Sequence, residues 1–73
     1  MTKAEAIIMG AATRSAKVKS SRELADRLGM KYTTLRYKLN KPKVIDLGDL
    51  RTLDRLCQFT GDEARALIKS IRG

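Results

Sequence analysis

Histidine is absent from this 73-residue chain, which also has only one cysteine, Cys57, and one proline, Pro42. Without histidine, no unperturbed side chain exchanges protons between about pH 5 and 8, and the usual zinc ligand sets lose their nitrogen donor. A lone cysteine closes no disulfide within the chain. Cys57 stands among Leu53, Leu56 and Phe59, so it reads as a small buried apolar residue. A nucleophilic thiol needs a base or a cationic pocket to draw out its thiolate. The glycines, Gly10, Gly29, Gly48, Gly61 and Gly73, are too widely spaced for a phosphate-cradling loop. These absences argue against an enzyme and against a metal or organic cofactor. Long apolar runs are missing too. Ala6–Ala12, which includes Gly10, has seven residues, whereas a spanning helix needs ~20. Glu5 at its start also makes it a poor signal peptide. The expectation is a soluble, cytoplasmic protein of one domain, residues 1–73, without membrane association.

Carboxylates are scarce in one part of the chain. Between Arg14 and Lys43 there are ten cations and two anions, Glu23 and Asp26, a net +8; the remainder has six of each and is neutral. The entire net charge thus lies in one segment. Cations segregated in this way suggest an anion-binding surface, and nucleic acid is the commonest such anion. A solvated face is the plainer alternative. A membrane surface would need large apolar residues among the cations, and this segment is poor in them.

A chain this short removes only ~60% of its extended surface from water on folding, which favours a simple helical fold. No segment alternates with a period of two. Thr2 with Glu5, Ser20 with Glu23, and Thr60 with Glu63 have capping-box spacing, and Asp46 with Asp49 marks another helix start. Together with the apolar periodicity between them, these starts predict an all-α fold, a compact bundle of about five short helices. The first frays near Ser15, the second ends at Gly29, and the third runs from about Tyr32 to Asn40, before Pro42. The fourth carries the stripe Leu47, Leu50, Leu53, Leu56 and Cys57. The fifth carries Ala64, Leu67, Ile68 and Ile71.

The segment from Ser21 to Asn40 reads as helix, tight turn, helix. Leu24, Ala25, Leu28, Met30 and Leu35 are spaced to pack its two helices together, and Gly29 accepts the left-handed backbone of the turn. The run Ser20-Ser21-Arg22-Glu23-Leu24-Ala25-Asp26-Arg27-Leu28-Gly29-Met30 is followed by Thr34-Leu35-Arg36-Tyr37-Lys38-Leu39-Asn40-Lys41-Pro42 and then by Asp46-Leu47-Gly48-Asp49-Leu50, Leu53 and Phe59-Thr60-Gly61-Asp62-Glu63. This pattern, from Ser20 to Glu63, resembles the lambda-repressor/Cro-like (XRE) helix-turn-helix family, in particular its short phage or mobile-element regulators. The resemblance implies a lambda-repressor-like DNA-binding domain with its helix-turn-helix at about 21–40, acting in the bacterial cytoplasm or nucleoid, or in the host cytoplasm if phage-encoded. Two positions depart from the pattern. Lys31 stands where Ser or Thr often caps the recognition helix, and Lys38 stands where an apolar residue is usual.

At about 100° per residue, Leu35 and Leu39 point one way, and Thr33, Tyr37 and Asn40 fall within about 40° of the opposite direction. Such a helix suits the DNA major groove, ~12 Å wide, where each base pair shows a distinct donor and acceptor pattern. Tyr32, Thr33, Arg36 and Tyr37 are the candidate base contacts, with Arg36 placed to donate twice to guanine. Each has a plainer reading. Tyr32 covers the first helix turn, Thr33 is a first-turn residue, Tyr37 reaches a phosphate through its hydroxyl, or Arg36 pairs with a carboxylate of its own chain. Ser21 and Arg22, at a helix N-terminus, suit a backbone phosphate, the role the resemblance gives that place. Lys17, Lys19, Lys31, Lys38, Asn40, Lys41 and Lys43 are further phosphate candidates, or merely solvated.

The expected function is sequence-specific DNA binding by a transcriptional regulator, repressor-like or Cro-like, on double-stranded operator DNA. The resemblance implies two-fold pairing, at least on DNA, and Ile68 and Ile71 are the candidate dimer interface unless they close the monomer's own core. Two alternatives stay open: an antitoxin of the same fold that also binds a toxin protein, and a non-specific nucleoid-type DNA-binding protein.

Overall fold

Each helix begins where a short polar side chain accepts a free backbone N–H, with one exception. The structure, a computed structural model, describes residues 1–73. Helix α1 spans Lys3–Ala16, α2 Ser21–Leu28, α3 Tyr32–Asn40, α4 Leu47–Cys57 and α5 Gly61–Arg72, with a 3-10 turn at Pro42–Val44 between α3 and α4. Thr2, Ser20, Asp46 and Thr60 cap α1, α2, α4 and α5. Lys31, at the start of α3, makes no capping bond.

Of the capping boxes expected at α1, α2 and α5, only the one at α5 closes fully, and Asp46 with Asp49 closes a further one at α4. Glu5 does not return to Thr2; its carboxylate crosses to Arg36 on α3. Glu23 accepts the N–H of Lys19, one residue before the cap. The helix boundaries otherwise follow the expected ones, although α1 continues to Ala16 and ends on Lys17 in left-handed backbone, φ 60°. Gly29 adopts φ 68° after α2, where a side chain would be strained. This conformation lets the Met30 N–H bond back to Ala25 at 2.9 Å and turns the chain into α3.

Helix α1 packs against α4 and α5, and α2 packs against α3 and α4. Ala4, Ala11 and Ala12 are buried on α1 beside Ile8, and their small size allows the neighbouring helices to approach. Leu24, Ala25 and Leu35 are buried where α2 meets α3, with Leu28 and Met30 partly buried beside them. Full burial of a side chain such as Leu24 or Leu39 contributes about 1.5–3 kcal/mol, and Leu24→Ala is expected to cost about 2–5 kcal/mol. Val18, in the turn after α1, completes this core.

The α4 stripe differs from expectation at one end. Leu53 and Cys57 are buried and Leu50 and Leu56 partly so, but Leu47 is 71% exposed. Leu47 lies about 120° around the helix from Leu53 at about 100° per residue, off the buried face. No helix is long and apolar enough to cross a membrane.

Candidate nucleic-acid interface

Helix α3 has one buried side, formed by Leu35 and Leu39. Thr33, Thr34, Tyr37 and Asn40 are exposed, and Tyr32, Arg36 and Lys38 are half-buried. Thr34 was not among the residues expected on this surface. It precedes the buried Leu35 and lies about 120° around the helix from the direction shared by Leu35 and Leu39, which leaves it outside the buried side.

The two tyrosines carry cations. The Arg22 guanidinium lies over the Tyr32 ring, 4.3 Å from its centre, and the Lys41 ammonium lies 5.8 Å from the centre of Tyr37. Arg22 comes from the first turn of α2 and Lys41 from just beyond α3. The two contacts thus bracket the exposed side of α3, at residues ~7.5 Å apart along its axis. Beside Tyr32, the Ser21 side chain, and after it Arg36, hold the phenol below its usual pKa.

Intramolecular pairing divides the cations of the basic segment. Arg14 binds Glu63 at 2.7 Å and also reaches the carbonyls of Cys57 and Gln58. Arg27 lies 3.7 Å from Glu23, and Lys38 meets Asp49 at 2.6 Å. Arg36 pairs with Glu5. The other six cations, Lys17, Lys19, Arg22, Lys31, Lys41 and Lys43, have no carboxylate within 4.0 Å, and all are exposed. They stand in the turns beside α2 and α3 or at the first turn of α2, although the Lys43 side chain runs beside Gly73 at the far end of α5.

Two residues expected to meet DNA are therefore engaged elsewhere. Arg36, expected to donate to guanine, directs its Nη2 to Glu5 and to the Asn40 side-chain oxygen at 3.1 Å. The hydrogen bond that Arg36 donates to Glu5 raises the guanidinium pKa further. Lys38, expected at a phosphate, is tied to α4 and only 21% exposed. Both partners are distant in sequence, so helical spacing alone gave no sign of them. Asn40 keeps its amide N–H groups free to donate outward.

Cys57 is buried, with its sulfur 3.8 Å from the Ile8 carbonyl oxygen. Burial, with Asp54 and Glu63 nearby, pushes its pKa up to about 11, the setting of a packing residue and not of an activated thiol.

The two expected interface residues on α5 are not equivalent. Ile68 is 46% exposed, while Ile71 is half-buried against the core. Leu47, on α4, is the larger apolar exposure. A groove of about 350 Å³ lies between α4 and α5, lined by Leu50, Arg51, Asp54, Phe59, Ala64 and Ile68 among others. Comparison with protein-family models, with curated proteins and with solved structures gives no match to this chain.

Proposed function

We propose that this chain is a sequence-specific DNA-binding regulator of transcription, of the lambda-repressor/Cro-like kind, which lays α3 in the major groove of operator DNA. The observation that carries the reading is the exposed Thr33–Thr34–Tyr37 side of α3, bracketed by unpaired cations held against Tyr32 and Tyr37. Threonine and tyrosine offer hydroxyls to base edges and apolar atoms to thymine methyls. The six unpaired cations supply the phosphate contacts that hold the helix in register, with Ser21 and the free N–H groups of the first turn of α2 beside Arg22.

Base reading falls to Thr33, Thr34 and Tyr37 and not to Arg36. Opening the Arg36–Glu5 pair would leave a buried carboxylate without its partner. Such losses run to about 3–5 kcal/mol, with the lower end appropriate where one partner is partly exposed. A good bidentate guanine contact returns about 1–3 kcal/mol. On these magnitudes the pair stays closed.

One helix reads few base pairs, so the protein acts as a two-fold dimer on paired half-sites. The exposed apolar face of α4 and α5 supports pairing there. The same face favours a second reading, an antitoxin, in which a toxin protein occupies it. Selection from a randomised duplex library tests the main reading. A palindromic consensus is expected, and binding without any consensus would instead support a non-specific nucleoid-type role.

A further inference from the structure

We infer that Glu5, on α1, determines the base preference of α3 by withholding Arg36 from the DNA. This rests on the DNA-binding reading above. Glu5 is 6% exposed and is the only charged residue in the core. Its Oε1 accepts from Arg36 Nη2, and the same nitrogen donates to Asn40 Oδ1 at 3.1 Å. Both N–H bonds of Nη2 are thereby engaged.

The geometry of the guanidinium makes this decisive. Its two bidentate forks are Nη1 with Nη2 and Nε with Nη2, so each requires Nη2. A guanine that presents O6 and N7 needs one of those forks. With Nη2 held, neither fork is open; the N–H bonds left on Nη1 and Nε can meet a base only singly, so Arg36 discriminates poorly. The lock is reinforced at the same end of α3, where Thr2 Oγ1 donates to the Leu39 carbonyl at 2.7 Å. No buried side-chain nitrogen or oxygen is left without a partner, so the network is closed as it stands.

Removing the acceptor should turn Arg36 into a guanine reader. In Glu5→Met an unbranched apolar side chain of similar size replaces the carboxylate, and the partly exposed Arg36 is free to turn outward. The experiment is selection from a randomised duplex library, with quantitative binding to the selected sites. Glu5→Met is expected to gain a guanine at one position of each half-site, with discrimination of about tenfold or more against other bases. Glu5→Met/Arg36→Met is expected to lose that guanine and return to the wild-type consensus. If Glu5→Met does not fold, Glu5→Leu, which likewise has no acceptor, decides the question by the same criterion. A weaker gain at one position supports the inference, and an unchanged consensus overturns it. An unchanged consensus in a folded Glu5→Met overturns it as well, and leaves the DNA-binding reading intact. So does a wild-type guanine preference that disappears in Arg36→Met. Absence of any consensus in every variant overturns both the DNA-binding reading and the inference.

Discussion

Lys38 and Asp49 hold α3 to α4 through one oxygen atom. Asp49 Oδ2 accepts from Lys38 Nζ at 2.6 Å and from the Asp46 N–H at 3.1 Å, so it closes the α4 capping box and anchors α3 together. The side chains are only 21% and 15% exposed. Lys38→Ala should therefore lower stability by about 1–3 kcal/mol, the usual cost of leaving a buried partner unmatched. Urea unfolding measures this. The salt dependence of DNA binding should stay as in the wild type. Unchanged stability with a shallower salt slope would make Lys38 a phosphate contact after all.

On the proposed function, the six unpaired cations should set the salt response of DNA binding. If each neutralises one phosphate, the slope of log affinity against log salt should be near −5, from ~0.9 per contact. Lys41→Ala should make it shallower by roughly one, because the Lys41 ammonium lies against Tyr37 on the exposed side of α3. Arg27→Ala should leave it unchanged, since Arg27 is paired with Glu23. A titration giving a slope near zero would remove the electrostatic basis of the proposal.

Acid should destabilise the fold from one side only. Burial tends to raise the Asp49 pKa, but Lys38 and the Asp46 backbone outweigh it and bring the carboxyl below its ordinary 3.8. The Thr60 N–H, followed by Arg14, lowers Glu63 below its ordinary 4.5. Carboxyls with depressed folded values stabilise the fold above their unfolded values and lose that contribution as pH falls through the folded ones. Urea midpoints should therefore decline below about pH 4.5, with no histidine to titrate above it. Asp49→Asn with Glu63→Gln should flatten this acid limb. A limb of undiminished depth would assign the acid sensitivity to other groups.

The helices were legible because their signals are local. Thr60 and Glu63, or Asp46 and Asp49, lie three residues apart, and the backbone they cap lies between them. Gly29 has a defined conformational task in a short turn. The outward direction of Thr33 and Tyr37 follows from that of Leu35 and Leu39 on the same helix. The pairing of the basic side chains was not legible in this way. Glu5 has the right spacing to complete a box with Thr2, yet a partly buried arginine 31 residues away is the stronger partner for its carboxylate. Lys38 and Asp49 meet because the Pro42–Val44 turn brings the first turn of α4 back to the end of α3. Charge segregation therefore located the basic surface, but not which cations remain free on it.

The Cys57 thiol should be a reporter of unfolding. With its pKa raised to about 11 by burial, it is almost wholly protonated in the native protein at mildly alkaline pH. A thiol-reactive disulfide reagent should label it slowly, and the labelling should accelerate in urea with the midpoint of global unfolding. Rapid labelling of the folded protein would show that the α1–α4 contact around Ile8 and Cys57 opens locally.

Pairing of two chains should depend on Ile68 more than on Ile71, although both were expected at the interface. Ile68 is exposed, while Ile71 contributes to the monomer core. Near Ile68 lie the groove between α4 and α5 and its Leu50 and Phe59 walls, and Leu47 is a further exposed apolar residue on α4. Arg51 and Asp54 line the same groove and form no ion pair with each other, which gives a two-fold interface an opposite charge to offer itself. The chain outside residues 14–43 is neutral, so two copies can approach through α4 and α5 without strong repulsion. Half-sites one helical turn apart, ~34 Å, then present both α3 helices to the same side of the duplex. Ile68→Asp should leave unfolding stability within about 0.5 kcal/mol of wild type, as for most surface substitutions. It should weaken binding to a full palindromic operator more than to a single half-site. Ile71→Asp should lower stability itself, because it puts a charge against the core. Sedimentation of the protein with operator duplex should give two chains per site. Footprints confined to one unsymmetric half-site, with one chain bound, would rule out the dimer.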